Sequence, residues 1–152
     1  MGQAKINKNS RKRVAIVVSK FNDFITKSLC RACCDELKKL NVKDKNITVC
    51  WVPGAFEIPL VALKLAQKKN VDAVICLGAV IRGETKHYDL VAEGCAQGIM
   101  RVALKTGKPV IFEVLATDTV KLAEARTKAK GCNKGRDAAR AAVEMIDLLS
   151  QL

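Results

Sequence analysis

The sequence predicts an α/β protein, a three-layer α/β/α sandwich in which helices cover both faces of a four-stranded parallel sheet. Short, β-branched apolar runs alternate along the chain with longer segments whose apolar residues recur at helical spacing. The resulting order, βαβαβαβαα, favours a parallel sheet because each crossover connection then contains a helix. Hydrophobic residues make up 49% of the chain and aromatic residues only 4%, which fits an aliphatic sheet core between helices.

The apolar runs and helical periods place each element of this flavodoxin-like arrangement. Strands are expected at 14–19, 46–52, 72–80 and 109–115. Helices are expected at 23–40, 55–69, 89–106, about 118–127 and 135–149. Pro59 then has to lie in the first turn of the second helix, where its missing N–H leaves no helical hydrogen bond unmade. The length of 152 residues predicts one domain, 14–152, after a basic N-terminal segment, 1–13.

The net charge of +12 raises the question of a nucleic-acid partner. Residues 1–13 contain lysines and arginines but no acid, and the remaining basic excess is spread over predicted helix faces. Basic residues are not interleaved with aromatic residues, so the stacking surface that single strands require is missing. We interpret these charges as a solvated tail and solvated helix faces, and we expect no nucleic-acid partner.

Seven cysteines and the absence of targeting signals bear on the compartment. The cysteine count is odd and most cysteines lie in apolar patterns, which predicts reduced structural thiols. Cys30 and Cys33 have redox-motif spacing, but they fall inside a predicted helix. The N-terminus lacks the apolar stretch of a secretion signal, and no apolar run approaches the roughly 20 residues of a membrane span. We therefore expect a cytoplasmic protein without membrane association.

The unusual residues of the chain follow its predicted strands, where ligands bind to parallel sheets. The only histidine, His87, lies near the start of a helix and is suited to proton transfer near neutral pH. Thr85 and the free N–H groups of that helix start could hold an anion. Phe21 could stack on a flat ring, and the Glu57 carboxylate could accept hydrogen bonds from hydroxyls.

Each of these residues also has a structural interpretation. His87 could be a helix cap or a surface residue, and Thr85 could cap the same helix. Phe21 could be a hydrophobic staple, Phe112 a core residue, and Glu57 a complement to a helix dipole. The sequence contains no evident metal-ligand set and neither of the common Gly-rich phosphate-binding motifs. The spacing alone predicts a cofactor-free site for a small, partly anionic ligand.

Four segments at these loops resemble the lumazine synthases in order and spacing: 20–22, 52–59, 78–89 and 126–135. The resemblance covers residues 12 to about 149 and makes 14–152 a single lumazine synthase domain. It implies a transferase that condenses 5-amino-6-(D-ribitylamino)uracil with 3,4-dihydroxy-2-butanone 4-phosphate. The products are 6,7-dimethyl-8-ribityllumazine, phosphate and water, in the penultimate step of riboflavin biosynthesis. The steps are proton transfers on activated reactants, so no metal or other cofactor is expected.

The resemblance also implies the site residues. Those that bind the uracil and ribityl groups would be Phe21, Ala55, Phe56, Glu57, Ala79, Val80, Ile81 and, from a neighbouring subunit, Phe112. Those that hold the phosphate would be Glu84, Thr85 and Arg126. His87 would be the proton donor, and Lys134 would lie near the site.

The resemblance further implies a homo-oligomer, and it includes departures from the family pattern. Members form pentamers, some of which assemble into 60-subunit shells, and the same resemblance suggests an association with riboflavin synthase. The length of the 126–135 segment favours the shell. Glu113, Ala116, Lys128 and Cys132 stand where the family usually has other residues. They leave the assigned contacts intact and bear on the neighbour-subunit contact and the assembly.

Two other functions compete with the enzyme. One is a flavodoxin-like module that binds flavin or a ribityl pyrimidine without turnover, and the other is a basic shell or packaging protein. His87, Thr85 and Arg126 together favour the enzyme, because passive flavin binding does not require a proton donor beside a phosphate site.

Overall fold

The computed structural model describes residues 8–152, and the order of its elements confirms the predicted one. Its strands are β1 (Val14–Ser19), β2 (Ile47–Val52), β3 (Ala73–Ile81) and β4 (Val110–Thr117). Its α-helices are α1 (Asp23–Lys39), α2 (Ile58–Ala66), α3 (His87–Thr106), α4 (Val120–Glu124) and α5 (Lys134–Leu149).

The strands form one parallel sheet in the order β2-β1-β3-β4. Strand β1 lies in the interior of the sheet, where Val14 pairs with Ile47 on one side and with Ala73 on the other. All six residues of β1 are buried, as expected for a strand that is covered on both faces. Strands β2 and β4 are the edges of the sheet.

Helices cover both faces, which confirms the three-layer α/β/α sandwich. On one face, α1 and α5 pack against alternate sheet residues through side chains such as Leu29 and Ala139. On the other face, α2 and α3 pack against the remaining set through side chains such as Ala62 and Ile99. The alternation of the strand side chains divides the sheet residues between these two cores.

The boundaries of two helices differ from the predicted ones. The segment predicted as one helix over 55–69 is a 3₁₀ turn, Ala55–Glu57, followed by α2 from Ile58 to Ala66. Pro59 lies in the first turn of α2, as predicted, and its fixed φ favours a helix start at this point. Helix α3 begins at His87 rather than at residue 89. The polar residues 84–88 gave no hydrophobic period that could have shown this earlier start.

The interpretation of the basic segment as a solvated tail is wrong for Lys12, and residues 1–7 lie outside the described residues. Lys8–Arg11 form a 3₁₀ turn, and the Lys12 side chain is only 6% exposed. The Lys12 ammonium lies 2.8 Å from a carboxylate oxygen of Asp147 on α5, and Lys8 lies 3.3 Å from the same side chain. A buried cation requires such a partner, and this one holds the start of the domain against its last helix.

All seven cysteines are free thiols, and Cys30, Cys33, Cys76 and Cys95 are buried. Burial raises the pKa of the Cys95 thiol to about 12, so this group stays protonated at neutral pH. Within residues 8–152, no helix is both long enough and apolar enough to cross a membrane.

Candidate active site

A cleft of about 640 Å³ opens at the carboxyl ends of β1, β2 and β3 and continues along the first turns of α3. It brings together nine of the site residues that the family resemblance implied: Phe21, Ala55, Phe56, Glu57, Ala79, Val80, Ile81, Thr85 and His87. Further lining residues are Asn22, Pro53, Gly54, Gly83, Tyr88, Leu90 and Val91. The lining is mainly apolar, with a few polar side chains, as is usual for small-molecule sites.

The first wall of the cleft is the turn between β1 and α1. The Phe21 N–H donates to the Pro53 carbonyl at 3.1 Å, so this turn runs beside the end of β2. Asn22 adopts a left-handed conformation with φ of 60°, and its side-chain amide donates to the Ala79 carbonyl at 2.8 Å. The Phe21 ring is 72% exposed, so it does not pack as a staple on α1. It forms one side of the cleft instead.

The second wall is the 3₁₀ turn after β2. Ala55 is buried and anchors the turn, whereas the Phe56 ring is 62% exposed. Gly94 on α3 makes room for that ring, because a Cβ at Gly94 would lie 2.9 Å from Phe56 Cε2. The Glu57 side chain is exposed to the cleft and forms no capping hydrogen bond at the start of α2. Its carboxylate is therefore available to hydroxyl or N–H donors of a ligand.

The third wall contains the end of β3 and the start of α3. Lys86 occupies the N-cap position and His87 is the first helical residue, so the interpretation of His87 as the cap is wrong. The Thr85 hydroxyl accepts a 3.3 Å hydrogen bond from the His87 N–H, which agrees with a capping role for Thr85. The His87 side chain is exposed and lines the cleft. Glu84 is exposed nearby but is not among the lining residues.

Phe112, Arg126 and Lys134 do not line this cleft. Phe112 lies on the edge strand β4, in register with Cys76, and its ring is 44% exposed. The interpretation of Phe112 as a core residue is therefore wrong. Arg126 follows α4, and Lys134 opens α5. All three residues lie on the β4 side of the molecule. The predicted site residues of one chain therefore form two separate groups, one in the cleft and one beside β4.

The second part is organised by a closed loop between α4 and α5. The Lys134 N–H donates to the Arg126 carbonyl at 2.9 Å, and Thr127 pairs with Asn133 across the loop. The Arg126 guanidinium donates to the Leu122 carbonyl at 2.8 Å, and Arg126 is only partly exposed. The Lys134 ammonium lies 3.5 Å from Asp137. The loop thus places two cationic side chains at neighbouring positions.

Arg136 and Asn133 hold the loop from inside. Arg136 donates to the carbonyl oxygens of Ala129 at 2.9 Å, of Lys128 at 3.3 Å and of Gly131. The Asn133 side chain accepts from the Gly135 N–H at 2.8 Å and caps α5. The departures Lys128 and Cys132 are both exposed in this loop, where their side chains do not disturb these contacts.

Two more departures lie on β4. Ala116 is exposed, and Glu113 is partly buried on the face that carries α5. Burial raises the pKa of Glu113 above its usual value, while the nearby Lys134 cation opposes that shift. Glu113 is thus a carboxylate near the predicted site residue Lys134, at a position where the resemblance leads us to expect another residue.

The sequence did not predict roles for Asn22 and Tyr88, although both lie in segments that resemble the family. Asparagine tolerates the left-handed conformation, but directly before a helix it is more typical of an extended N-cap, so the sequence carried no specific signal for Asn22. Tyr88 follows His87 in the chain and lines the cleft below the Arg82 guanidinium. A single tyrosine without a recognisable partner carries no such signal in sequence. Within residues 8–152, no three His, Cys, Asp or Glu side chains come together as a metal-ligand set.

The fold is that of a flavodoxin-like α/β protein, and its cleft lies beyond the carboxyl ends of the parallel strands, where proteins of this class bind small molecules. A sequence profile of the 6,7-dimethyl-8-ribityllumazine synthase family matches residues 11–150. A curated protein of Protochlamydia amoebophila (strain UWE25), named 6,7-dimethyl-8-ribityllumazine synthase, is 50% identical over 143 residues. The similarity covers 94% of this chain and 83% of that relative. The chain belongs to the 6,7-dimethyl-8-ribityllumazine synthase family.

Proposed function

We propose that this protein condenses 5-amino-6-(D-ribitylamino)uracil with 3,4-dihydroxy-2-butanone 4-phosphate to form 6,7-dimethyl-8-ribityllumazine. The observation that carries the proposal is a single cleft with an exposed aromatic ring, a free carboxylate and the only histidine of the chain. These groups belong to Phe21, Glu57 and His87. Membership in the family adds the reaction, which the sequence segments had already implied.

In the proposed complex, the pyrimidine ring stacks on Phe21 and the backbone of 79–81 binds its polar edge. Ala55 and Phe56 complete this wall, and Glu57 accepts hydrogen bonds from the ribityl hydroxyls. Offset stacking on an aromatic face is worth about 0.5–1.5 kcal/mol beyond the burial of its area. The support for this orientation is that the flat apolar wall and the carboxylate lie on adjacent turns of the same cleft.

The chemistry requires proton transfers at few positions. The 5-amino group adds to the ketone and loses water to form an imine, and the phosphate leaves by elimination. The ribityl amine then closes the second ring on the remaining carbonyl with loss of another water. His87 donates and accepts protons in these steps, because an imidazole can act both as acid and as base and this one is exposed to the cleft. Holding both reactants together supplies much of the rate.

We propose that Phe112, Arg126 and Lys134 of a neighbouring copy complete the cleft, with Arg126, Thr85 and Glu84 around the phosphate. The proposal is supported by their placement on the β4 side of the chain, outside its own cleft. A site completed by a neighbouring copy requires a homo-oligomer. The family resemblance supports the more specific proposals, which are a pentamer, a 60-subunit shell and an association with riboflavin synthase.

A cytoplasmic location is proposed on the ground of seven free thiols, which suit a reducing compartment.

The test is to mix the purified protein with both substrates and to record lumazine fluorescence and released phosphate together. We expect the protein to form lumazine and phosphate in equal amounts, at a rate well above that of the uncatalysed condensation. Phe21→Ala should raise the KM for the pyrimidine, and Lys38→Gln on the opposite side of the fold is the control. Binding of the pyrimidine without product would instead support the passive binding module.

A further inference from the structure

Arg82 connects three parts of the structure at the edge of the cleft. It follows β3 directly, and its N–H donates to the Thr117 carbonyl at the end of β4 at 2.9 Å. Its Nε donates to Asp118 Oδ1 at 2.7 Å, and its Nη1 lies 3.7 Å from Asp89 Oδ1. The guanidinium carbon lies 4.4 Å from the centre of the Tyr88 ring. One side chain therefore contacts the segment after β4 and the first turn of α3.

These contacts affect the cleft because of what the first turn of α3 carries. Tyr88 and His87 are consecutive residues, and both line the cleft. The segment 82–86 that leads into the helix contains no regular structure. The Arg82 side chain connects that turn to Asp118, the residue after β4.

We propose that Arg82 is a positioning residue that fixes the Tyr88 ring and the His87 imidazole at the cleft. The inference rests on the proposed role of His87 as the proton donor. Arg82 does not line the cleft, so it acts through Tyr88, which it contacts, and through the first helical turn that also carries His87.

The chemistry of arginine suits this role. A planar guanidinium can donate along its edge to Asp118 and lie with its face over Tyr88 at the same time. A lysine in its place keeps the charge but offers a point donor that does not satisfy both contacts together. The Arg82 side chain is 47% exposed, and exposed ion pairs add little to the stability of the fold. Its contribution should therefore appear in turnover rather than in melting temperature.

The test compares Arg82→Gln, Arg82→Lys and a matched control. Arg82→Gln should lower kcat about 10-fold, because small misplacements of a reacting group are costly, and Arg82→Lys should give an intermediate loss. Both should melt within about 2 °C of the native protein. Lys38→Gln removes another exposed ion pair, Lys38 with Asp44 on the opposite side of the fold, and should leave kcat unchanged.

A double-mutant cycle with His87→Ala separates positioning from a general structural effect. If Arg82 acts through His87, Arg82→Gln should change kcat by less than about two-fold in the His87→Ala background. Equal fold losses in the two backgrounds would overturn the inference, and so would an unchanged kcat for Arg82→Gln alone.

A chemical measurement distinguishes failure of the positioning role of Arg82 from failure of the proposed reaction. His87 is the only histidine, so its acylation by diethyl pyrocarbonate can be followed by peptide mass spectrometry without ambiguity. The acylation rate should rise at least about two-fold in Arg82→Gln, since the first turn of α3 is then less restrained. Full kcat in His87→Ala would refute the proposed role of His87 by itself. The acylation rate then decides, and an unchanged rate in Arg82→Gln overturns the positioning role.

Discussion

The Asn22 side-chain amide donates a 2.8 Å hydrogen bond to the Ala79 carbonyl oxygen and joins the ends of β1 and β3 across the floor of the cleft. Asn22 can do so because it adopts φ of 60°, which turns the chain from the strand into α1. Asparagine tolerates this left-handed region better than most residues. The adjacent Phe21 ring lines the cleft, as does His87.

The two features of Asn22 can be separated by substitution. Asn22→Gly keeps the left-handed backbone and removes the hydrogen bond, which should cost about 1 kcal/mol of stability. Asn22→Ala removes the bond and also strains the backbone, which should cost about 1–2 kcal/mol more. Urea unfolding measures both values, and both variants should raise the KM for the pyrimidine. Equal stability of the two variants would contradict the assigned backbone strain.

Two glycines of α3 offer a matched pair of substitutions. Gly94→Ala places a Cβ 2.9 Å from Phe56 Cε2, so the ring at the cleft wall must rotate away. We expect the KM for the pyrimidine to rise about 3–10-fold, since about 0.5–1.5 kcal/mol of aromatic contact is lost. The fold should change little, because a side chain can move and Ala favours the helix.

Gly98→Ala is the control on the same helix face. Its Cβ would lie 2.7 Å from Pro59 Cγ, a rigid ring within α2 that cannot rotate away. Overpacking of this kind costs about 1–3 kcal/mol, of which helix propensity offsets up to about 1 kcal/mol. The melting temperature should therefore fall more than in Gly94→Ala, with a smaller change in KM. The reverse pattern would show that Phe56 does not contribute to the pyrimidine wall.

The stability of the fold should depend on pH because of the partly buried Glu113 carboxyl. Burial raises the pKa of this carboxyl above its ordinary value of 4.5. A raised carboxyl pKa contributes stability that is fully present below pH 4.5 and is lost as the pH rises through the folded-state pKa. Glu113→Gln removes this loss, so the variant should gain melting temperature relative to the native protein as the pH rises above 4.5.

A second substitution on α5 checks that the effect is local. Glu144 is exposed, and Glu144→Gln should not show the same dependence on pH. A difference between native protein and Glu113→Gln that stays constant across the pH range would contradict the burial of an ionised Glu113.

The fold could be predicted because each buried strand is a short β-branched run and each helix has an apolar period. The start of α2 depended on Pro59, which sequence reasoning placed correctly in the first turn. The burial of Lys12 could not be foreseen, because its partner Asp147 is distant in sequence and lies on the last helix. The contact of Arg82 with Asp118 and Tyr88 is likewise produced only when the ends of β3 and β4 meet α3.

The site was predictable in part for a related reason. Residues of one cleft follow successive strands, and a parallel sheet gathers them at one edge. Phe112 lies within the edge strand β4 and Arg126 follows α4, so neither residue lines the cleft of its own chain. Sequence pattern alone does not indicate whether such residues serve their own chain or a neighbour.

The most direct test of the account is complementation between two inactive variants, because it requires both the reaction and the shared site. His87→Ala removes the proposed proton donor of the cleft part, which should cost about 10²–10⁴-fold in rate. Arg126→Ala removes the cation that the β4 part offers to the phosphate. The two are produced separately and also together in one cell with different tags, and lumazine formation is measured on assemblies that carry both tags. If one chain supplies the cleft and its neighbour supplies Arg126, about a quarter of the interfaces in a random mixture contain two intact parts. We therefore expect about a quarter of the native activity in mixed assemblies, against nearly none for each variant alone. Mixed assemblies that are no more active than the separate variants would contradict it.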